Sequence, residues 1–435
     1  MIFLIGLTLA SFVIVSGVEG ALQGTGTTYY VNAELGDDSN RGTSKPKAWT
    51  PIDKANALDL DPGDRLLFKG GETFEGNLRL DARDAGTAEN PVLVSSYGEG
   101  RATIEAGKGK GVSIYNAGGI EVSDLVVTGA GYAAGNRVSG IKINNDRGNA
   151  TKLEHVRVEN VEVSGFGYAG ILLAANPADR TKSGFRDVRI TNVSAHDNAE
   201  AGIQSNGYFS RKANGWAHED VYVADSYAYD NKGIPDKGSS SGSGIVLGDV
   251  NGATIERCIS HDNGENNNYR DGGPIGIWTW DSNAVTIQHN ESYDNGSVTV
   301  DGGGGGGFDL DGGVTNSVMQ YNYSHHNAGA GYLLSQFPSA RNFEDNVVRY
   351  NISENDGRTN GGGITAIGVD ESEVYNNTVY IGPRADGSLP LAAEAKRTSE
   401  VDFRNNLFVP TGGASLSMGP DDRDELFLGQ PLLRR

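Results

Sequence analysis

The chain has 435 residues, 56 of them acidic and 36 Lys or Arg, for a formal charge of −20. Such a surface repels a phosphate backbone and excludes a generic nucleic-acid-binding role; it suits an exported protein or one that gathers divalent cations on carboxylates. The 63 Gly against 13 Pro, with abundant Asn, Asp and Ser, indicate many tight turns between short strands. With a single cysteine, Cys258, no internal disulfide exists, and that residue reads as a small buried filler.

Residues 2–18 are almost wholly apolar or small and lead into Glu19-Gly20-Ala21, which predicts a signal peptide over 1–20. A retained anchor is the alternative, because the run is near the lower length for a membrane span. Cleavage leaves residues 21–435 as one secreted, extracytoplasmic domain with no membrane segment. A helix-like stretch at Ile52–Leu58 follows, and then short apolar runs at Gly119–Gly129, Gly140–Asn144, Val156–Ser164 and Gly170–Leu173.

From Val188 the chain repeats. Val188–Asn198, Val221–Asn231, Ala253–Asn263, Val285–Asn295 and Ser317–Asn327 align, and a weaker sixth copy ends at Asp356. The closing residues are 33, 32, 32, 32 and 29 positions apart. A fixed period of this length with alternating apolar residues predicts a solenoid, in which stacked coils bury faces that one coil cannot. Each coil is expected to hold two main strands. The first carries a Val-x-Ile pattern, and the second begins at Gly202, Gly244, Gly276, Gly307, Gly331 or Gly363. Val374–Val379 and Val401–Phe408 read as the last coils, and the tail 421–435 departs from the repeat.

The segments Tyr29-Tyr30-Val31, Gly36-Asp37-Asp38-Ser39-Asn40-Arg41-Gly42-Thr43 and Pro62-Gly63-Asp64-Arg65-Leu66-Leu67-Phe68-Lys69-Gly70, followed by Asn-rich repeats, resemble secreted right-handed parallel β-helix proteins of the pectate-lyase-like superfamily. The resemblance implies an all-β right-handed parallel β-helix with an N-terminal capping helix. It is specific for fold and not for reaction, since lyases, hydrolases, epimerases and adhesins share the architecture.

Alternation along a strand places Phe308 and Leu310 inward and Asp309 and Asp311 outward; in the preceding coil Ile277 and Thr279 point in and Trp278 and Trp280 out. Neighbouring coils lie ~4.8 Å apart, so two exposed indoles are expected beside two exposed carboxylates. Indoles stack on sugar rings, and paired carboxylates suit metal binding or acid–base work on a sugar. A plain solvated face is the alternative. The column His196, Tyr229, His261, Tyr293, His325, with Asp197, Asp230, Asp262, Asp294 and His326 beside it, reads as turn ladders. The Asn-x-Ser triplets at Asn192, Asn290, Asn322 and Asn351 read as turn chemistry too. The glycine run Gly302–Gly307 lacks the Lys-Ser/Thr of a nucleotide loop and leads into a strand.

A lyase of the family it resembles neutralises a uronate, often with a cation, and removes the C5 proton with a base. Asp281, Asp301, Asp309 and Asp311 form the candidate Ca²⁺ site. Arg270, His261, Lys237 and Arg341 are candidate bases from loops on the same face, with His325 or His326 as a further one. Trp278, Trp280 and Arg341 are the expected sugar contacts. The function expected is Ca²⁺-assisted β-elimination of an acidic polysaccharide by a monomer. The alternatives are a glycoside hydrolase using Asp309 and Asp311, and a non-catalytic carbohydrate-binding or surface-attachment protein.

Overall fold

The computed structural model describes residues 26–412, apart from 271, 299–303 and 385, and a last strand at Ser415–Met418. Residues 1–20, expected to be a signal peptide, Asp301, the start of the glycine run and the tail lie outside these residues. The described chain winds into a parallel β-solenoid with three sheets of 13, 12 and 12 strands. Each coil contributes one strand to each sheet, as in Gly184–Thr191, Ser194–His196 and Ala201–Asn206. The expectation of two strands per coil is thereby corrected. The Val-x-Ile run and the residues before the Asp-Asn pair are two strands separated by a corner. Among the described residues helix is scarce: the capping helix expected over Ile52–Leu58 amounts to one turn, Ile52–Ala55. No helix among them is long and apolar enough to cross a membrane.

The corners explain the repeat. Between the first and second sheets, Asn192, Asp225, Arg257, His289, Tyr321 and Tyr350 all take positive φ. Between the second and third, Asp197, Asp230, Asp262, Asp294 and His326 do the same. Left-handed backbone costs an L-residue roughly 1–2 kcal/mol, least for Asn and Asp. Stacking offsets it where the residue is bulky: His289 lies on Tyr321 at 5.2 Å, and Tyr321 on Tyr350 at 5.2 Å.

A buried amide ladder follows each corner. The Asn231 backbone N–H donates to Asn263 Oδ1 (3.1 Å), Asn263 to Asn295 (3.3 Å), Asn295 to Asn327 (3.1 Å) and Asn327 to Asp356 (3.0 Å). A parallel ladder runs through Asn290, Asn322, Asn351, Asn377 and Asn406. Asn290, Asn322 and Asn351 are thus buried turn residues, in line with their reading from sequence. Cys258, also buried, donates its backbone N–H to Asn290. The turn column stacks as expected, with ring centroids 4.8, 5.1, 4.7 and 4.8 Å apart from His196 to His325. Inside, Val, Ile, Leu and Phe from all three sheets form one continuous apolar core.

Asp356 closes the first ladder with a carboxylate where the other coils have an amide. Burial pushes its carboxyl up to about 6. Between an ordinary Asp value of about 4 and that value, the folded state holds a proton that the unfolded state has released, so stability falls as pH rises through this window. In other coils the Asn amide donates to a Ser hydroxyl, as Asn295 Nδ2 does to Ser292 Oγ at 3.0 Å. Ser353 stands ready for the same bond, since it now donates to Asp356 at 2.7 Å. Asp356→Asn is therefore expected to stabilise the protein by on the order of 2 kcal/mol at pH 7.5, with the gain vanishing below about pH 4. Thermal unfolding across pH checks this; equal stability of the two proteins at pH 7.5 would contradict it.

Candidate active site

The site is built on the outward face of the third sheet. In the strand Ile275–Trp280, Ile277 and Thr279 are fully buried inward, which leaves Trp278 and Trp280 outward and half-buried. In the strand Gly306–Leu310, Phe308 and Leu310 fill the core and Asp309 points out. Trp278 and Asp309 are register partners, and the Asp311 N–H bonds to Thr279 O at 2.9 Å in the coil before. The juxtaposition of indoles and carboxylates read from the sequence is therefore present.

Its exposure is corrected. Asp309 is only 3 % exposed, and Oδ1 has no hydrogen-bond partner. A second apolar cluster explains why the face is not solvated. It lies outside the coil and joins Ala169, Leu172, Ala174, Ala201 and Val246 to Tyr168, Trp278 and Trp280. Trp278 Nε1 donates to Ser243 Oγ at 3.1 Å, and Phe209 packs on Trp280 at 5.6 Å. Gly248 makes room for the indole, since a Cβ there would come within 2.2 Å of Trp280 Nε1. Gly312 does the same for Phe337, whose ring would sit 2.1 Å from an added Cβ.

Burial separates the two carboxyls from ordinary aspartates. Desolvation, helped by the charge of Asp311, pushes Asp309 well above the usual range. Asp311 is pushed up to about 6 by burial, restrained by hydrogen bonds from the Gly312 N–H and the Ser335 hydroxyl. Asp311, at about 6, is largely ionised at neutral pH, and burial makes Asp309 hold its proton well beyond the range of an ordinary aspartate. One proton donor and one anion on a single strand, beside two indoles, is a combination that can work on a glycosidic bond.

The other expected site residues lie elsewhere. Asp281 is fully buried in an ionic cluster: Arg341 Nε reaches its Oδ1 at 2.6 Å, and Lys182 Nζ, which holds Asp249 at 2.7 Å, lies 3.9 Å from Oδ2. Arg341 also donates to Gly215 O at 3.0 Å and lies 4.8 Å over the Trp216 ring. With Arg211 bonding Pro338 O at 3.0 Å, these contacts clamp the arm 207–217 to the arm 336–345. Arg341 is thus a support of the arms rather than a sugar contact.

His325 belongs to the second sheet, in the ring ladder, with Nε2 on Glu291 at 3.1 Å and Nδ1 3.0 Å from His326 Nδ1. It does not share the face of Asp309. His261 stands in the same ladder, and Lys237 is ion-paired with Glu200 at 2.5 Å. Arg270 is exposed in the loop before Ile275. Calcium requires about six to eight oxygen ligands. Among the described residues no three His, Cys, Asp or Glu come together to hold a metal, and Asp281 is already neutralised. Asp301, the fourth expected ligand, lies outside the described residues. The arms that carry Phe209 and Phe337 were missed because they fall outside the repeat register; their only signal was aromatic residues within insertions.

A family described as a right handed beta helix region matches residues 212–408. Over those residues the chain matches the right-handed β-helix description, and the three-sheet parallel solenoid has that fold. Among curated proteins this β-helix is 26 % identical over 483 aligned residues to a lacto-N-biosidase of Bifidobacterium longum, covering 88 % of the chain and 29 % of that protein. It therefore spans less than a third of the curated relative's length. Among solved structures, a GH136 lacto-N-biosidase from Eubacterium ramulus superposes with a TM-score of 0.65 at 19 % identity, over 93 % of this chain and 67 % of the other. A DFA-IIIase from Arthrobacter chlorophenolicus A6 follows at 0.52 and 13 % identity, over 94 % of this chain and 100 % of the other. At these identities the solved structures show the fold alone.

Reassigning Arg341 and Arg270 can be checked by stability. Arg341→Ala strands the buried Asp281 and is expected to cost about 3–5 kcal/mol in chemical denaturation. Arg270→Ala, on the surface, should stay within about 0.5 kcal/mol of the parent. Equal, small effects would return Arg341 to the list of free cations.

Proposed function

We propose that this protein is a carbohydrate-active enzyme that hydrolyses a glycosidic bond, with Asp309 as proton donor and Asp311 as its ionised partner. The observation that carries the reading is a buried Asp309 and a half-buried Asp311 whose proton affinities both exceed the ordinary range, set one coil from Trp278 and Trp280. A neutral carboxyl delivers its proton to the glycosidic oxygen as the bond to the anomeric carbon breaks. The carboxylate offsets the positive charge growing on that carbon. Water then supplies a hydroxyl to the carbon and returns a proton to Asp309. The indoles offer flat apolar faces for a sugar ring on either side of the bond.

Similarity to the curated lacto-N-biosidase supports hydrolysis in preference to the elimination expected from the sequence. Elimination also needs a base on this face. Among its candidates, His325 and His261 lie on the ring ladder and Lys237 and Arg341 are bound to acids, which leaves Arg270, exposed in the loop before Ile275.

Asp309→Asn and Asp311→Asn are each expected to lower kcat by about 100- to 10,000-fold. In the parent, kcat/KM should fall below about pH 6 as Asp311 takes up a proton, and fall again at higher pH as Asp309 loses its own. The assay is release of new reducing ends from a glycan panel, read together with absorbance of unsaturated sugars. Unsaturated product would replace hydrolysis by elimination, and full activity in both variants would remove the site. Glycan affinity without any new chain ends would leave a binding protein.

A further inference from the structure

We propose that the third-sheet groove holds, upstream of Trp278, a subsite for an anionic group of the glycan, formed by Lys110, Arg137 and Lys142. This rests on the groove being the glycan path. The three cations converge on a pocket of about 290 Å³ that Tyr168, Asn176 and Asn206 also line, and no carboxylate lines it. In a chain of net charge −20 this is a local reversal of sign. Elsewhere on the β-helix many cations are tied to acids, as Arg186 is to Glu219 and Arg157 to Asp187. None of these three is in an ion pair there. Glu200, whose charge reaches Tyr168, is closed off by Lys237.

Position links the pocket to the candidate active site. Lys142 is register partner of Leu172, Leu172 of Gln204, Gln204 of Val246, Val246 of Trp278, and Trp278 of Asp309. That is one outward column, and its five coil steps span roughly 24 Å. Leu172, Ala174 and Val246 form an apolar floor between the two ends, as a sugar chain lying on its ring faces requires.

The cations are placed to take a charge. Lys142 is half-buried and held below its usual range by burial and by Lys110 beside it, so an incoming anion relieves both costs. Arg137 lies over the Tyr132 ring at 3.7 Å, with one terminal nitrogen on the Tyr132 and Asn136 carbonyls, which fixes its fork. Asn206 Oδ1 is buried without a partner, which leaves an acceptor for a sugar hydroxyl. A carboxylate or sulfate on a sugar would receive charge-assisted hydrogen bonds from the lysines and the guanidinium.

The test is calorimetric titration of the full chain with trigalacturonate and with its carboxyl-reduced neutral form. The acidic trisaccharide should bind at least tenfold more tightly. Lys142→Gln, and separately Lys110→Gln in case the first variant folds poorly, should erase the preference while leaving the neutral affinity in place. Equal affinity for both sugars, no binding of either, or a preference that survives both variants overturns the subsite. Asp309→Asn separates this from hydrolysis. A preference kept in that variant by a protein that cleaves no glycan retains the subsite and removes the hydrolase; cleavage without charge preference does the reverse.

Discussion

The constraint on which everything else depends is that one coil must lie on the next at a fixed spacing with no polar group of its corners left unsatisfied. Each corner turns the backbone through a left-handed residue and removes peptide groups from the strand ladders. Those groups are buried, and an unpaired buried amide costs about 1–3 kcal/mol. The Asn columns answer this by letting each side chain serve the coil below and the coil above at once. A hydrogen-bonded stack of this kind tolerates no slip in register, because displacing one coil strands donors on both sides. The apolar core supplies the bulk of the stabilisation, but the amides decide which residue faces which.

Fixed register is what gives the outward face its chemistry. A residue placed outward in one coil meets the outward residue of the next, so Trp278 meets Asp309. The arms then meet that column. Phe209 packs on Trp280 and Phe337 against Gly312, beside two carboxyls of which Asp309 is buried and Asp311 half-buried. The ionic cluster of Lys182, Asp249, Asp281 and Arg341 anchors those arms. Buried ion pairs are a poor source of stability but a strict source of geometry.

The architecture was legible in the sequence because it is periodic. The spacing of Asn198 to Asp356 registers the coils, and alternation alone places Phe308, Leu310, Trp278 and Asp309 on their correct faces. The second-sheet strand of each coil was hidden because it spans three residues, Ser194–His196 in one coil, too few to show a pattern. Of the site, the neighbouring indoles and carboxylates could be read and their burial could not. Nothing in a sequence says which insertion folds back over which strand. The same gap explains Asp281: its place at the end of the Trp strand is a fact of sequence, but Lys182 and Arg341 come from 99 positions before it and 60 after.

The third sheet is, in the end, asymmetric along its length, and the asymmetry has a physical logic. Two carboxyls that must both ionise in a dry groove would repel each other and any anionic sugar at the same point. Burial and the neighbouring Asp311 both favour the neutral form of Asp309, which leaves the charge there on Asp311. A carboxylate on the glycan would still be unwelcome beside it, since like charges a few ångströms apart in a poorly solvated site cost several kcal/mol. The cations stand five coils away, beyond an apolar floor and roughly three Debye lengths from Asp311 at physiological salt. At that distance they neither neutralise the ionised carboxylate nor lower the proton affinity of its neighbour. A groove arranged in this order can take a glycan charged at one end and neutral at the bond to be broken, so that charge recognition and proton transfer do not interfere.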